Sequence, residues 1–185
     1  MSSSADKNRS GRRLLLYAVF IAVLVSFDQL MKHLAVVKLK GQDPFVLIPG
    51  VLEFRYLENQ GAAFSMFQNR QIMFYIITAV FLVLAVWFLV KLPKSRKYRP
   101  LIVCLLVLSS GAVGNLIDRI VHQYVVDFIY FSIIDFPIFN VADIYVTLSV
   151  TVLIILVLFK YKDEDFSVLR KKKPAPDKET GTEDE

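Results

Sequence analysis

Two acids in this chain stand where water is scarce enough for acid–base chemistry. Asp127 lies alone between Val125-Val126 and Phe128-Ile129, and Asp143 follows Asn140 by three residues at the start of an apolar run. A lone acid in so apolar a segment is not a typical solvated loop acid. Paired carboxyls that share one proton can split roles. The ionised one draws a proton from water, and the other protonates a carbonyl or a leaving amine. Mutual repulsion and low dielectric push the two apparent pKa values apart. Such a pair cleaves peptides without a metal or a covalent intermediate. Asp135, beside Pro137, reads instead as a turn residue.

Other chemistries find less support in the same residues. The two histidines, His33 and His122, have no H-x-x-x-H spacing. Carboxylates alone would suit calcium or magnesium rather than zinc, but no D-x-D-x-D loop is present, so no metal and no cofactor are expected. There is no G-x-S-x-G, and Ser65, Ser109 and Ser110 have no obvious base. The single cysteine, Cys104, sits inside an apolar run, so neither an intrachain disulfide nor a cysteine zinc site is possible.

Three further polar groups each admit two readings. Asp28 and Lys32 are four residues apart, an acid-before-base pair that either keeps two charges tolerable in lipid or touches substrate or headgroup. Asn115, Asp118 and Arg119 share a helix face one turn after Gly111 and Gly114; they either glue helices together or orient a catalytic group. Asn140 with Asp143 fits a helix capping box as well as a catalytic site.

These residues need elements to hold them. Of the 185 residues, 55% are apolar, against about 45–50% in soluble domains. The excess falls in charge-free runs, Leu14–Phe27, Ile72–Val90, Leu101–Ile117 and Ile144–Phe159. Crossing ~30 Å of hydrocarbon takes about 20 residues. The second run nearly suffices. The first must continue past Asp28 and Lys32 to Val37, the third must run into Asp118 and Arg119, and the fourth must begin near Val141. The expected fold is therefore an all-α membrane protein, a four-helix transmembrane bundle spanning residues 14–160.

Charge sets the orientation. The net charge of +5 is concentrated in Lys7, Arg9, Arg12 and Arg13, in Lys91–Arg99, and in Lys160, Lys162 and Arg170–Lys173. This pattern marks membrane topology rather than a nucleic-acid partner, and none is expected. Both termini should be cytoplasmic, with loops 38–71 and 120–140 outside. Residues 1–13 form a basic N-terminus with no A-x-A-like cleavage site after the apolar run. Residues 161–185 form a charged tail, expected to be disordered from Lys171 onward. At the helical rise, Asp28, Asp118 and Asp143 then lie ~21, ~26 and ~24 Å from the cytoplasmic ends of their helices. Three helices thus bring carboxylates to one outer level, where charges normally face a bundle interior or a water-filled cavity.

In the first external loop, Leu52, Phe54 and Tyr56 alternate with Glu53 and Arg55. That is a strand pattern, and Phe45–Ile48 can pair with it across Pro49-Gly50 as a small external antiparallel β-sheet. The stretch Asn59-Gln60-Gly61-Ala62-Ala63-Phe64-Ser65 ends the strand. Its small residues allow close backbone approach.

The motifs resemble those of the bacterial lipoprotein signal peptidase family, signal peptidase II. They are Asp28-Gln29 with Lys32, Asn59 to Phe64, Gly111 to Arg119, Val125 to Phe128 and Phe139 to Asp143, in family order over roughly residues 12–160. The resemblance implies an aspartic intramembrane endopeptidase of the bacterial cytoplasmic membrane, with four spans, a small external sheet and a short external helix. Its implied substrates are prolipoproteins, cut before a diacylglyceryl-modified cysteine. It makes Asp127 and Asp143 the catalytic pair. Asp28, Lys32, Asn59, Gly61, Asn115, Arg119 and Asn140 become supporting or substrate-binding residues. One departure is Ile144-Tyr145 after Asp143, where the family often has a small residue; it bears on pocket shape. A small ion- or proton-coupled transporter is the rival reading, weakened by the lack of an internal repeat. Reporter fusions should read cytoplasmic after residue 100 and external near Asp43; an external signal at residue 100 would overturn the orientation.

Overall fold

The computed structural model describes residues 2–61, 70–93, 95–162 and 164–166. Seven elements follow in order: α1 (Ser2–Leu39), β1 (Phe45–Ile48), β2 (Leu52–Asn59), α2 (Arg70–Lys91), α3 (Arg99–His122), β3 (Val125–Phe131) and α4 (Val141–Phe159). Four stretches are long and apolar enough to cross a membrane: Gly11–Leu39 in α1, Gln71–Lys91 in α2, Arg96–His122, which is α3 with the 3-10 turn before it, and Val141–Phe159, which is α4. The charged residues expected to extend the short runs are inside the helices. Asp28 and Lys32 lie within α1, Asp118 and Arg119 in the last turns of α3, and Asp143 in the first turn of α4.

α3 is the central helix and packs against α1, α2 and α4. Its buried residues include Leu101, Leu105, Ser109, Ser110, Gly111, Gly114 and Asp118. The other three turn large apolar side chains outward, among them Leu15, Val23, Val83 and Leu158. This is the expected arrangement of a bundle whose solvent is hydrocarbon. Ser109 and Ser110 donate to the carbonyls of Leu105 and Leu106 one turn back, which satisfies both hydroxyls within the helix.

Two glycines set how closely α3 approaches its neighbours. A Cβ on Gly111 would lie 2.5 Å from the Ala142 carbonyl oxygen and 2.8 Å from Val146 Cγ2. A Cβ on Gly114 would lie 2.5 Å from Asp28 Oδ2. Both contacts are with atoms that other bonds hold in place, so any side chain there must push helices apart.

The two halves of the bundle differ in kind. At the end where α2 gives way to α3, Leu89, Leu92, Tyr98, Leu101, Ile102, Leu105, Leu106 and Tyr161 form an apolar cluster. Tyr98 and Tyr161 stack at 5.8 Å, Tyr161 donates to the Lys97 carbonyl, Tyr98 donates to the Asp165 carbonyl, and Lys97 pairs with Asp165. The chain therefore stays packed beyond α4 as far as Phe166, inside the segment expected as tail. The tail from Lys171 and the stretch Ala62-Ala63-Phe64 with Ser65 lie outside the described residues.

The opposite end carries the sheet. Its strand order is β1-β2-β3, antiparallel throughout. The hairpin of β1 and β2 across Pro49-Gly50 is as expected, with Gly50 at φ 70° in the turn. The third strand is not foreseen. It comes from the second external connection and pairs Leu52 with Phe131 and Asn59 with Val125. The expected alternation also breaks. Between Phe54 and Leu57 the register shifts, so Arg55 and Tyr56 together face Phe128. Glu53, expected on the polar face, is buried and paired with Arg55 at 2.7 Å, and Arg55 in turn lies over the Tyr130 ring. Among the described residues, the external helical turn is Ser132–Ile134.

Replacing Gly111 with Ala should lower stability by about 1–3 kcal/mol by overpacking. Gly11→Ala, where nothing lies within 4 Å, is the control and should be neutral or better. Thermal unfolding in detergent measures both, and equal behaviour of the two variants would show that the α3–α4 approach is not tight.

Candidate functional site

Asp127 is the third residue of β3 and is fully buried. The extra residue in β2 decides its partner. With the shift, Asp127 stands opposite Leu57, and Asn59 lies opposite Val125. Without it, Asn59 would present its side chain to the other face of the sheet. As built, Asn59 Nδ2 donates to Asp127 Oδ2 at 2.7 Å. Asn59 is itself fixed: its Oδ1 accepts the Gly61 backbone N–H at 2.8 Å. Gly61 holds φ 80°, and a Cβ there would sit 2.8 Å from the Phe74 ring, so glycine is required on both counts.

Asn140 and Asp143 close a capping box at the start of α4. The Asn140 side chain accepts from the Asp143 backbone N–H at 3.1 Å, and Asp143 Oδ2 accepts from the Asn140 N–H at 3.1 Å. Asn140 does more than cap. Its Nδ2 donates to Asp127 Oδ1 at 2.6 Å, so one residue holds both acids. Asp143 Oδ1 takes a further donor, Asn115 Nδ2 at 2.8 Å from α3. Capping and site assembly, open alternatives in the sequence, are the same set of bonds.

Asp28, Lys32 and Asp118 lie behind this pair, all buried. Lys32 Nζ reaches Asp28 Oδ2 at 2.9 Å, Asp118 Oδ2 at 3.0 Å and Asn115 Oδ1 at 3.0 Å. The ion-pair reading of Asp28 and Lys32 holds, with a second acid joined to it. Arg119 donates to the Asn115 carbonyl at 3.1 Å and lies over the Phe74 ring at 4.3 Å, while Tyr75 donates to the Arg119 carbonyl at 2.8 Å. Phe74 and Tyr75 carry no signal in the sequence, where they are two more aromatics in an apolar run. Gln29 is similar: its Nε2 donates to Asp118 Oδ1 at 2.9 Å and to the Gly114 carbonyl at 3.2 Å. Tyr145, the residue at which the sequence departs from the family pattern, packs partly buried beside Val126, Phe128 and Val141.

Every residue expected at the site is therefore in one connected hydrogen-bonded cluster, save Arg119, which reaches it through the Asn115 backbone. Asp135 stands apart, with its carboxylate accepting from Tyr130 OH at 2.6 Å on the exposed side and its backbone at φ 48° in a turn. The Asp127 carboxyl is pushed up to about 6, chiefly by burial, with the Asn140 hydrogen bond opposing the rise, the Asp143 charge adding to it and the Asn59 hydrogen bond opposing it. A cavity of about 560 Å³ lies elsewhere, between α1 and the sheet, lined by Met31, Leu34, Phe45, Phe54 and Phe128.

Membrane-crossing helices that gather buried, amide-held carboxyls at one end make the frame of a membrane-embedded enzyme of the aspartic type. Known proteins agree. Residues 20–159 match the signal peptidase (SPase) II family. The chain is 41% identical over 149 residues to the lipoprotein signal peptidase of Streptococcus thermophilus, covering 80% of this chain and 94% of that protein. It is 40% identical over 156 residues to that of Streptococcus pyogenes serotype M5, covering 82% and 96%. A bacterial membrane enzyme solved at 1.9 Å superposes with a TM-score of 0.70 at 35% identity, covering 79% of this chain and 94% of that one. A second, solved at 2.3 Å, gives 0.68 at 33% identity, covering 86% and 94%. The chain belongs to the signal peptidase II family of aspartic peptidases.

Proposed function

We propose that this protein removes signal peptides from prolipoproteins, and that Asp127 and Asp143 perform the cleavage. Asn140 carries the assignment. It donates its side-chain amide to one acid and its backbone N–H to the other, so a carboxyl from β3 and one from α4 are presented together. Their donors are neutral amides, which leave the pair free to exchange a proton. In the proposed reaction, water enters between the two carboxyls. The ionised one accepts a proton as the oxygen attacks the scissile carbonyl. The protonated one donates to the carbonyl oxygen, and a proton then passes to the leaving amine. The raised proton affinity of Asp127 supports a pair that holds one proton between them.

The substrate follows from the family and from depth. The charge pattern puts both termini in the cytoplasm and the site at the outer leaflet. There, a cysteine carrying diacylglyceryl chains would keep its acyl groups in lipid while its peptide reaches the acids. Arg119 and Asn115 border the pair and are suited to bind the peptide.

Asp127→Asn and Asp143→Asn should each lower cleavage of a purified, lipid-modified prolipoprotein by about 10²–10⁴-fold, and the double variant should be little worse. An Asn at 127 would meet amide donors from both Asn59 and Asn140, leaving one mismatched, so thermal unfolding must accompany the assay. Asp135→Asn is the control and should cleave normally. Normal turnover by a folded Asp127→Asn protein would remove the assignment. A precursor of the same sequence without the diacylglyceryl group should be cut poorly, and equal rates for the two precursors would refute the lipid requirement.

A further inference from the structure

The cluster behind the acids does something that a simple ion pair does not require. Asp28 Oδ1 accepts the backbone N–H of Ala142 at 2.9 Å. Asp118 Oδ2 accepts the backbone N–H of Val126 at 3.1 Å. Ala142 is the residue immediately before Asp143, and Val126 is the residue immediately before Asp127. Each proposed catalytic acid thus has the preceding peptide held by a different buried carboxylate, one from α1 and one from α3.

Lys32 joins the two holds. Its ammonium has three protons, and it has three acceptors: Asp28, Asp118 and the Asn115 side-chain oxygen. The third contact fixes which way the Asn115 amide points. With its oxygen on Lys32, its nitrogen faces Asp143 Oδ1 at 2.8 Å. Gln29 completes the cluster by donating to the remaining Asp118 oxygen.

We infer that Asp118, with Asp28 and Lys32, is a positioning device that sets the separation of Asp127 and Asp143 by anchoring the backbone amides of Val126 and Ala142. This rests on the reading of those two acids as the catalytic pair. Neutralising the Asp28–Lys32 pair in lipid takes no second acid. Buried ion clusters are poor stabilisers compared with apolar packing of the same volume, so Asp118 is explained by what it holds. β3 meets the chain just before α4 at Phe139, whose backbone bonds Phe128 and Ile129, but nothing in that contact ties it to α3. The Asp118–Val126 bond ties it to α3, and Lys32 ties that bond to the Asp28–Ala142 bond.

The acceptor oxygen matters in this scheme more than the charge. Asp118→Asn keeps an oxygen for Val126 and Lys32, and gives up only the Gln29 bond to the other oxygen, while Gln29 stays on the Gly114 carbonyl. Asp118→Ala removes the oxygen. The assay is cleavage of a lipid-modified prolipoprotein by the purified full chain, with kcat and KM measured separately and thermal unfolding alongside. Asp118→Ala should lose about 10²-fold in kcat with KM within about twofold, while Asp118→Asn keeps kcat within about threefold, since a misplacement near 1 Å costs of that order. Should Asp118→Ala not purify as a folded protein, Asp118→Ser carries the same expectation, because its hydroxyl is too short to reach Val126. Equal losses in the Asn and Ala variants, or a folded Ala variant with wild-type kcat, would overturn the positioning role. Asp127→Asn run in parallel separates the two readings: if it is inactive while Asp118→Ala turns over normally, only the positioning inference fails. If Asp127→Asn is active, the catalytic reading fails with it.

Discussion

A carboxylate taken out of water must be given donors, and the half of this bundle that meets the sheet is organised around that constraint. Four acids, Asp28, Asp118 and Asp127 buried and Asp143 half-buried, bring eight carboxyl oxygens together, and each oxygen accepts at least one hydrogen bond. The donors divide by type. Asp28 and Asp118 share the Lys32 ammonium. Asp127 and Asp143 receive side-chain amides and one backbone N–H. One buried lysine therefore separates the two acids paired with a cation from the two that meet only neutral amides.

The helices were legible because their signal is local. Three of the four apolar runs needed a charged residue at the end nearest the sheet to reach membrane length, and each of those helices takes that residue in. The β1–β2 hairpin was legible for the same reason, from alternation and Pro49-Gly50. β3 was not. Val125–Phe131 is nearly all apolar and has no alternation, and its partner β2 is more than sixty residues away in sequence. Only pairing across the sheet makes it a strand. The shift in β2 is invisible for a related reason, since a bulge is defined by two strands and not by one. Of the site, the polar residues could be named from their motifs, but not their bonds. Nothing in Asp118 or Gln29 announces a backbone amide as partner, because the partner lies on another element.

Sequence reasoning also posed two choices that the structure dissolves. Asn140 and Asp143 were either a capping box or a reactive site, and Asn115, Asp118 and Arg119 either glue between helices or groups that orient another, beside Gly111 and Gly114 that permit close packing. A helix N-terminus offers unpaired N–H groups that must be satisfied. Here Asn140 and Asp143 satisfy two of them, and Asp28 satisfies a third at Ala142. Supplying those groups is what brings Asp143 and Asp28 to the helix end. The glycines belong to the same arrangement, since the Ala142 carbonyl and Asp28 Oδ2 occupy the space that a Cβ on Gly111 or Gly114 would take.

Asn140 shows how narrow the geometry becomes. Its backbone nitrogen bonds Asp143 and its side-chain nitrogen bonds Asp127. Those two nitrogens are linked through Cα, Cβ and Cγ, so their separation varies only with two side-chain torsions. The Asp143 N–H, donated to Asn140 Oδ1, fixes those torsions from the other side. The relative placement of a carboxyl from a strand and one from a helix is thereby reduced to the covalent dimensions of one residue. An Asp at 140 would return an oxygen where Asp127 needs a donor and add a further buried acid to the cluster. A Gln would place its amide one methylene too far out. Only an asparagine both caps α4 and reaches β3, which is why a site shared between two elements can be held by so short a side chain.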